Sequence, residues 1–138
     1  MTGQRRRIHC KFVFVKILHL HHILLPCADV EAAACFYEGL GMERVPHISP
    51  QMRWMQFGPN QLHLWPSDKA HIYNGWQQEP SPHFAMMGDD IWKFEKGIPE
   101  LGGTILQAPQ QRPNGSWYLF ALDLDGNRFE IMQPLETP

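Results

Sequence analysis

The chain has few cysteines, no long apolar run and no strong excess of charge. Its three cysteines, Cys10, Cys27 and Cys35, show no CxxC spacing and are odd in number, so a disulfide framework is not expected. No apolar stretch approaches the roughly 18 residues that a membrane-spanning helix requires. The net charge of −2 gives no reason to expect nucleic acid as a partner. These absences favour a folded cytoplasmic protein that uses neither a membrane nor a nucleic acid.

Basic residues are concentrated at the start of the chain, where five of the twelve are Arg5, Arg6, Arg7, Lys11 and Lys16. The apolar residues that follow loosely resemble a secretory leader. However, Lys16 and several histidines interrupt them, and Pro26 stands where a small residue should precede cleavage. We therefore expect residues 1–15 to be a peripheral extension: a disordered arm, an added edge strand or a start assigned too far upstream. Residues 16–138 are expected to form one domain.

Two segments of the chain repeat the same spacing of residues. His22 is followed seven positions later by Asp29, and His83 is followed at the same distance by Asp90. A glycine stands nineteen positions after each histidine, and residues 60–64 resemble residues 127–131, which aligns His63 with Glu130. Halves of this size, about 60 residues, are marginal alone. The two copies are therefore expected to pack against each other or against a second chain.

The first copy predicts a strand, a helix and three further strands. Residues 16–25 favour a strand, and Asp29 is suited to cap a helix over residues 30–38 that ends at the following glycines. Short strands are then predicted around residues 43–47, 52–57 and 61–65. This copy, module 1, extends over about residues 16–66, and a polar linker follows at about 67–80.

The second copy, module 2, covers about residues 81–134 with the same layout. It predicts a strand at 83–87, a helix at 91–101 capped by Asp89 or Asp90, and strands at 104–107, 117–122 and 128–133. A loop with two prolines and a glycine separates the last predicted strands from 104–107 and holds the residues that the first copy lacks. The predicted class is thus α+β, with two βαβββ modules.

Four residues at matching places in the two copies have side chains that bind metals: His22, His63, His83 and Glu130. The alignment of the two copies selects His22 over His21, and because side chains alternate between the faces of a strand, His19 and His21 are then predicted on the opposite face. Three imidazoles and a carboxylate would suit Zn, Fe, Ni, Co or Mn. A single strand histidine is more often an ordinary core or surface residue, and this holds for His63 taken alone. As a symmetric set, the four favour a metal site.

The sequence resembles the vicinal-oxygen-chelate superfamily, which includes glyoxalase I, bleomycin- and fosfomycin-resistance proteins and type I extradiol dioxygenases. The resemblance extends from about residue 17 to 134 and depends on His22 with Asp29 and on residues 36–42, 82–85 and 123–130. It implies paired βαβββ modules that form a U-shaped mixed β-sheet around a metal and substrate cleft. It also implies ligands from the first and last strands of each module.

The resemblance leaves the reaction open. His63 replaces the carboxylate common in glyoxalase I, and members with only three ligands would use His22, His83 and Glu130, leaving His63 beside the substrate. Fosfomycin transfer is disfavoured because no Arg or Lys follows Glu130 and because Phe120 stands where a tyrosine would fall. Extradiol dioxygenases usually have longer chains. The expected activity is therefore a glyoxalase-like, metal-dependent reaction on a small substrate with vicinal oxygens, in which Glu130 is a ligand or the catalytic base.

A non-catalytic binding protein of the bleomycin-resistance type is the alternative function. Five side chains are weaker candidates to line a substrate pocket: Arg53, Trp54, Trp65, Trp117 and Phe120. Aromatic residues at alternating strand positions need no ligand to explain them, whereas an inward-facing Arg53 would hold a carboxylate. The resemblance also implies a homodimer in which each site takes His22 and His63 from one chain and His83 and Glu130 from its partner.

Overall fold

Both copies of the repeat fold into a strand, a helix and three further strands. The computed structural model describes residues 10–11, 15–46, 49–68 and 81–135. Module 1 contains β1 (His22–Cys27), α1 (Val30–Gly39), β2 (Glu43–Val45), β3 (Arg53–Phe57) and β4 (Asn60–Pro66). Module 2 contains β5 (Phe84–Met87), α2 (Ile91–Glu100), β6 (Thr104–Gln111), β7 (Trp117–Leu122) and β8 (Arg128–Gln133). The predicted α+β class with two βαβββ modules is confirmed.

Hydrogen bonds join these strands into two separate four-stranded sheets. The strand order is β1-β4-β3-β2 in the first sheet and β5-β8-β7-β6 in the second. In each sheet the first and last strands of the module are parallel neighbours, and the other pairs are antiparallel. A module therefore brings its first and last strands, which carry or adjoin the predicted ligands, side by side.

Both helices begin at the predicted aspartate caps. The Asp29 carboxylate accepts hydrogen bonds from the backbone N–H groups of Glu31 and Ala32, and Asp90, rather than Asp89, does the same for α2. These bonds satisfy donors that the first turn of a helix leaves unpaired. After each helix the chain reverses at a glycine with positive φ, Gly41 at 99° and Gly102 at 95°, a conformation that glycine adopts without a steric penalty.

The first strand starts later than its apolar sequence predicts. Residues 15–21 have no regular secondary structure, and Ile17 and Leu18 are 92% and 80% exposed. The pairing of β1 with β4 runs from His22 opposite Gln61 to Cys27 opposite Pro66. The extent of this edge strand is thus set by its partner β4, because only the residues beside β4 gain ladder hydrogen bonds.

The strand β6 is longer than predicted and includes Pro109. The prediction ended this strand at Gln107, but the pairing with β7 continues to Gln111 with register shifts on both sides of Gln107. Because β6 lies at the edge of its sheet, Pro109 does not need an N–H to reach a second neighbouring strand. The irregular register accommodates the extra residues that the first copy lacks.

One apolar core joins the two modules. Phe36 on α1 lies edge-on to Phe129 on β8, with ring centroids 6.3 Å apart. At the same junction the Tyr37 hydroxyl donates a 2.6 Å hydrogen bond to Asp123, and both residues are buried. A Cβ added at Gly103 would come within 2.8 Å of Phe36, so the close approach of α1 to module 2 requires a glycine there.

Several expectations fall outside the described residues. Most of the predicted N-terminal extension, residues 1–9 and 12–14, and most of the predicted linker, residues 69–80, are among them. Within the described ranges, no helix is long and apolar enough to cross a membrane. Cys10, Cys27 and Cys35 all have free thiols, and burial raises the pKa of the Cys27 thiol well above its usual range.

Candidate metal centre

The predicted ligands lie on the sheet faces that point away from the helices. In β4, Leu62 and Leu64 are fully buried in the core, so His63 between them points to the other face. In β8, Phe129 and Ile131 are likewise in the core, and Glu130 points away from it. We call the side of each sheet opposite its helix the open face. His22 lies on the open face of the first sheet, since Ile23 packs against the core.

His63 is held between two flat side chains on the open face of module 1. The imidazole of His22 stacks on its ring with centroids 3.9 Å apart and planes 13° apart. On its other side, the indole of Trp54 lies 4.3 Å away at 5°. Trp54 is the direct partner of His63 in the β3–β4 ladder. This sandwich explains why His63 is only 6% exposed although it points away from the core.

The surroundings of His63 favour its neutral form. Burial, followed by the nearby His22 and His21, lowers the pKa of His63 below the usual range of histidine. Its Nε2 lies 2.8 Å from Oε1 of Gln61. A neutral imidazole has one unprotonated nitrogen, which is the form that binds a metal ion.

His21 joins this cluster, which corrects the prediction that it lies on the opposite face. The Nδ1 atoms of His21 and His22 are 3.0 Å apart, and the possible ligand atoms of His21, His22 and His63 all lie within 4.8 Å of one another. Alternation of side chains holds only within a strand, and β1 begins at His22. His21 precedes β1, so its side chain is free to turn toward the open face.

The stacked arrangement limits how His22 and His63 bind one ion. Imidazole lone pairs lie in the ring plane, and the two planes are only 13° from parallel. The lone pairs therefore point side by side rather than toward a common point. The His22 ring, which is exposed, has to rotate before both rings bind the same ion, whereas His63 is held in place by Trp54.

The open face of module 2 places His83 beside Glu130. Nε2 of His83 lies 3.4 Å from Oε2 of Glu130, and the side chain of Glu130 is only 7% exposed. The other carboxylate oxygen, Oε1, accepts a 2.6 Å hydrogen bond from the Arg112 guanidinium. Arg112 thus supplies the cation that a nearly buried carboxylate requires, and it leaves Oε2 directed at His83.

The geometry of His83 and Glu130 fits a metal ion. Nδ1 of His83 lies 3.1 Å from the backbone carbonyl oxygen of Ser81, which only accepts hydrogen bonds, so in the neutral imidazole Nδ1 carries the hydrogen and Nε2 has the free lone pair. Two electron-pair donors, Nε2 and Oε2, then face each other at 3.4 Å. Ligand bonds of about 2.0–2.2 Å in a tetrahedral site separate neighbouring ligand atoms by roughly 3.3–3.6 Å.

The two halves of the predicted tetrad do not meet in one group. Among the residues that the structure describes, only His21, His22 and His63 bring three possible ligand atoms within 4.8 Å of one another. Neither His83 nor Glu130 belongs to that group, although both are described. Module 1 thus carries an imidazole half-site, and module 2 carries a second half-site of one imidazole and one carboxylate.

The five candidate pocket residues divide between the two faces. Trp54 stacks on His63, Phe120 lies 5.1 Å from the His83 ring, and alternation along β4 places the 46% exposed Trp65 on the face of His63. By contrast, the Arg53 guanidinium bonds to Glu31 on α1, and Trp117 packs against Trp92 on α2. The expectation that Arg53 and Trp117 line the cleft is therefore not met: both are on the helix side.

Two arginines that the sequence analysis did not single out lie on the open face of module 2. The guanidinium of Arg112 stacks over the Tyr118 ring at 4.0 Å, and that of Arg128 lies over Phe120 at 4.4 Å. Neither residue is in the tail after Glu130, where the sequence predicts no cation. Arg128 precedes Glu130 by two residues, and Arg112 is in the inserted loop, which has no counterpart in module 1.

A cavity of about 320 Å³ lies elsewhere, on the helix side of the sheets. Its lining includes Leu40, Met42, Phe57, Met86, Phe94 and Ile131. Ile131 belongs to the core face of β8, opposite to Glu130. This cavity, whose lining also includes Asp89, is thus on the other side of β8 from Glu130.

Known proteins share this architecture. The glyoxalase-related enzyme from Fulvimarina pelagi matches with a TM-score of 0.66 and 23% identity over 86% of this chain and 89% of its own. A glyoxalase/bleomycin resistance protein/dioxygenase family enzyme from Burkholderia phytofirmans matches with a TM-score of 0.65 and 21% identity, over 86% of this chain and 100% of its own. Lactoylglutathione lyase from Agrobacterium tumefaciens matches with a TM-score of 0.60 and 22% identity over 83% of this chain and 92% of its own.

At these identities the structural likeness shows the fold alone, and no curated protein matches the chain. The family itself is shown by the sequence, because the model of the Glyoxalase/Bleomycin resistance protein/Dioxygenase superfamily matches residues 19–131. This match includes His22, His63, His83 and Glu130. The chain belongs to the glyoxalase/bleomycin resistance protein/dioxygenase superfamily.

Proposed function

We propose that the protein is a glyoxalase-like, metal-dependent enzyme that acts on a small substrate with two neighbouring oxygen atoms. The metal would be a divalent Zn, Ni, Mn, Fe or Co ion, bound by His22, His83 and Glu130, with His63 completing a tetrad. The observation that carries this proposal is the 3.4 Å separation between Nε2 of His83 and Oε2 of Glu130, together with the carbonyl of Ser81, which in the neutral imidazole places the hydrogen on Nδ1 and leaves Nε2 free.

The chemistry follows from the residues on the open faces. When bound, the ion would polarise two neighbouring substrate oxygens and stabilise the negative charge that develops on them. Glu130 would be either a ligand through Oε2 or the base that accepts a proton from the substrate, since Oε2 points into the open face while Arg112 holds Oε1. Trp54, Trp65 and Phe120 would exclude water around the reacting atoms.

We further propose that each site forms between two chains. Within one chain the ligand atoms of the two modules do not form a common group of three among the described residues. A second copy related by a twofold axis would present its module 2 to module 1 of the first. Each site would then take His22 and His63 from one chain and His83 and Glu130 from the other, and a homodimer would hold two equivalent sites.

Mixing two inactive variants tests the shared site. His22→Ala and Glu130→Ala are refolded together, and the hybrid dimer is expected to regain one intact site in two, with part of the metal binding. His19→Ala provides a matched control, because His19 is an exposed histidine whose Nδ1 contacts the adjacent carbonyl of Leu20 rather than the cluster. Hybrid dimers that form but bind no metal would place each site within a single chain.

Metal content tests the enzyme proposal itself. Protein purified without chelator is expected to contain roughly one divalent ion per chain by mass spectrometry, and added metal should raise the melting temperature. His22→Ala and Glu130→Ala should each lose the ion, and His19→Ala should retain it. Absence of stoichiometric metal, with no thermal shift on adding Zn, Ni, Mn, Fe or Co, would eliminate the enzyme proposal.

One observation favours a second candidate, a non-catalytic protein that binds a small molecule such as an antibiotic. Arg112 already balances the charge of Glu130 without an ion, and the exposed Trp65 offers an aromatic surface on the open face. A binding protein of this kind would sequester an aromatic ligand equally well with or without metal. Ligand-induced quenching of tryptophan fluorescence that is unchanged in His22→Ala would favour this second candidate.

A further inference from the structure

We propose that Gln61 and Gln56 are positioning residues that fix His63 as a single tautomer. In this tautomer the hydrogen is on Nε2, and Nδ1 carries the free lone pair. The evidence is a continuous series of side-chain hydrogen bonds on the open face of module 1. It begins at a backbone carbonyl and ends at the imidazole of His63.

The backbone carbonyl of Gly58 sets the direction of the whole series. A carbonyl oxygen only accepts hydrogen bonds, so the Gln56 atom 2.7 Å from it is the amide nitrogen, Nε2. This orientation directs Oε1 of Gln56 toward Gln61, whose Nε2 donates to it over 2.8 Å. Oε1 of Gln61 then faces His63 at 2.8 Å from its Nε2. An acceptor at that distance requires the hydrogen on Nε2.

Reversing any member of the series creates a repulsive contact. If Nε2 of His63 lacked its hydrogen, two acceptors would face each other at 2.8 Å. Turning the Gln61 amide to supply a donor would place its oxygen against Oε1 of Gln56. Turning Gln56 as well would place that oxygen against the carbonyl of Gly58, which has a fixed position in the β3–β4 turn. The three side chains therefore have one mutually consistent arrangement.

The sheet register holds the series in place. Gln56 and Gln61 are direct partners in the antiparallel β3–β4 ladder, and Gln61 and His63 are on the same face because they are two residues apart. The His63 ring is fixed from both sides by His22 and Trp54. A 180° flip of the ring would keep the stack but would put the carbon Cε1 in place of Nε2, so the hydrogen bond to Gln61 is what selects the observed orientation.

This tautomer is opposite to that of His83. The carbonyl of Ser81 requires the hydrogen of His83 on Nδ1, which leaves Nε2 free, whereas the glutamine series leaves Nδ1 of His63 free. The inference bears on the metal only through the proposed function: if His63 is a ligand, it binds through Nδ1. Gln61 and Gln56 would then be outer residues that orient a ligand and fix its tautomer.

Nitrogen-15 NMR of the metal-free wild-type protein tests the tautomer directly. The spectrum is recorded above the pH range in which imidazole takes up a proton, and the His63 signals are assigned by their loss in His63→Ala. We expect a protonated, pyrrole-type Nε2 and an unprotonated, pyridine-type Nδ1 for His63, with the reverse pattern for His83. A protonated Nδ1 on His63 overturns the proposal, whatever the metal content.

Variants of Gln61 separate positioning from simple packing. Gln61→Leu removes the acceptor, and we expect the two His63 nitrogen shifts to move toward each other as both tautomers become populated. Gln61→Glu keeps an acceptor beside Nε2, so the hydrogen of His63 should stay on Nε2, although Gln56 has to move because the second carboxylate oxygen faces its Oε1. Gln56→Leu frees the Gln61 amide to turn and should give an intermediate result. Gln51→Leu, at an exposed glutamine outside the series, serves as the control. Unchanged shifts in Gln61→Leu overturn the proposal.

Cobalt(II) titration measures how the glutamine series affects metal affinity. Loss of an orienting outer residue typically lowers metal affinity by about 10- to 100-fold, and we expect this for Gln61→Leu but not for Gln61→Glu or Gln51→Leu. If the tautomer is as stated and no variant or wild type binds cobalt, the proposed function fails and the positioning role stands. If Gln61→Leu binds cobalt as tightly as wild type, His63 is not oriented for a metal by this series.

Discussion

The buried hydrogen bond between Tyr37 and Asp123 joins the two modules, and Tyr37→Phe removes it without removing the ring. Tyr37 is on α1 in module 1, whereas Asp123 starts the turn that leads into β8 in module 2. The second oxygen of Asp123 accepts from the backbone N–H groups of Asp125 and Asn127. The same carboxylate thus shapes the turn before Glu130 and attaches it to module 1.

The expected loss of stability follows from the partners that remain. A hydrogen bond to a charged group contributes about 1.5–3 kcal/mol. In Tyr37→Phe, Oδ2 of Asp123 still accepts from the side-chain amide of Asn127 at 2.9 Å, so the carboxylate is not left without a donor. We therefore expect the free energy of unfolding to fall by about 2 kcal/mol. With a urea dependence of about 1–3 kcal/mol/M, the unfolding midpoint should fall by about 1 M.

The loss should also depend on pH. Burial raises the pKa of Asp123 above its usual value, and the hydrogen bonds from Tyr37 and Asn127 oppose that rise. A folded-state pKa above the unfolded one means that stability falls as the pH rises through this interval. Removing the Tyr37 hydroxyl raises the folded pKa further. The destabilisation is therefore larger at neutral pH, where Asp123 is charged, than near the usual aspartate pKa, where it is protonated.

Urea unfolding of both proteins at these two pH values, at one protein concentration, measures the effect. Tyr118→Phe is the matched control, because the Tyr118 hydroxyl makes only an exposed 3.5 Å contact with Gln110. Its effect should stay within about 0.5 kcal/mol. A Tyr37→Phe variant that unfolds like wild type, or one that loses more stability at acid pH than at neutral pH, would refute this account of the junction.

Two further substitutions test the charges around the helices and the half-site. Arg112→Met removes the partner of the nearly buried Glu130, so the metal-free protein should lose about 1–3 kcal/mol of unfolding free energy, less than for a fully buried pair because Arg112 is one-third exposed. Adding metal should then raise the melting temperature more than it does in wild type. An equal rise would contradict the role of Arg112 in balancing the charge of Glu130. Hydrogen bonds from Arg44 and Arg53 lower the pKa of Glu31 to about 2. The stability that Glu31 contributes is therefore fully present above the usual carboxylate pKa and is lost as the pH falls from there to about 2. Glu31→Gln should flatten the acid side of the melting-temperature profile, and Glu43→Gln should leave that profile unchanged.

Local sequence patterns predicted the elements of the fold. The strand boundaries that differ from the prediction are those set by pairing with a neighbouring strand. Asp29, Asp90 and the glycines after each helix are read directly from the sequence, because caps and positive-φ turns depend on neighbouring residues. The start of β1 and the length of β6 depend on a partner strand. The apolar residues before His22 have strand-forming sequence but lie beyond the end of β4, and no local pattern shows where that partner stops.

The repeat correctly predicted that His22, His63 and Glu130 share the face turned away from the core, but it misplaced Arg53 because the alignment slipped by one residue. Counting back from His63 and Glu130 in the two aligned copies makes Arg53 equivalent to Phe120, which is why the sequence predicts an inward-facing Arg53. In the structure Trp54 is the ladder partner of His63, just as Phe120 is the partner of Glu130. Trp54 is thus the true counterpart of Phe120, and a slip of one position moves a side chain to the other face of the sheet. This accounts for Arg53 on the helix side.

The two half-sites carry unequal charge, and this difference bears on the substrate. Among the described residues, the half-site of module 1 consists of imidazoles, and burial lowers the pKa of His63, which favours its neutral form. Module 2 offers one carboxylate, Glu130, which is already paired with the Arg112 guanidinium. If a divalent ion binds as proposed, this single carboxylate does not balance the charge of both the ion and Arg112. An assembled site of this composition favours a substrate that is anionic or becomes so during the reaction, since the excess positive charge is held in place by the sheet before the substrate arrives.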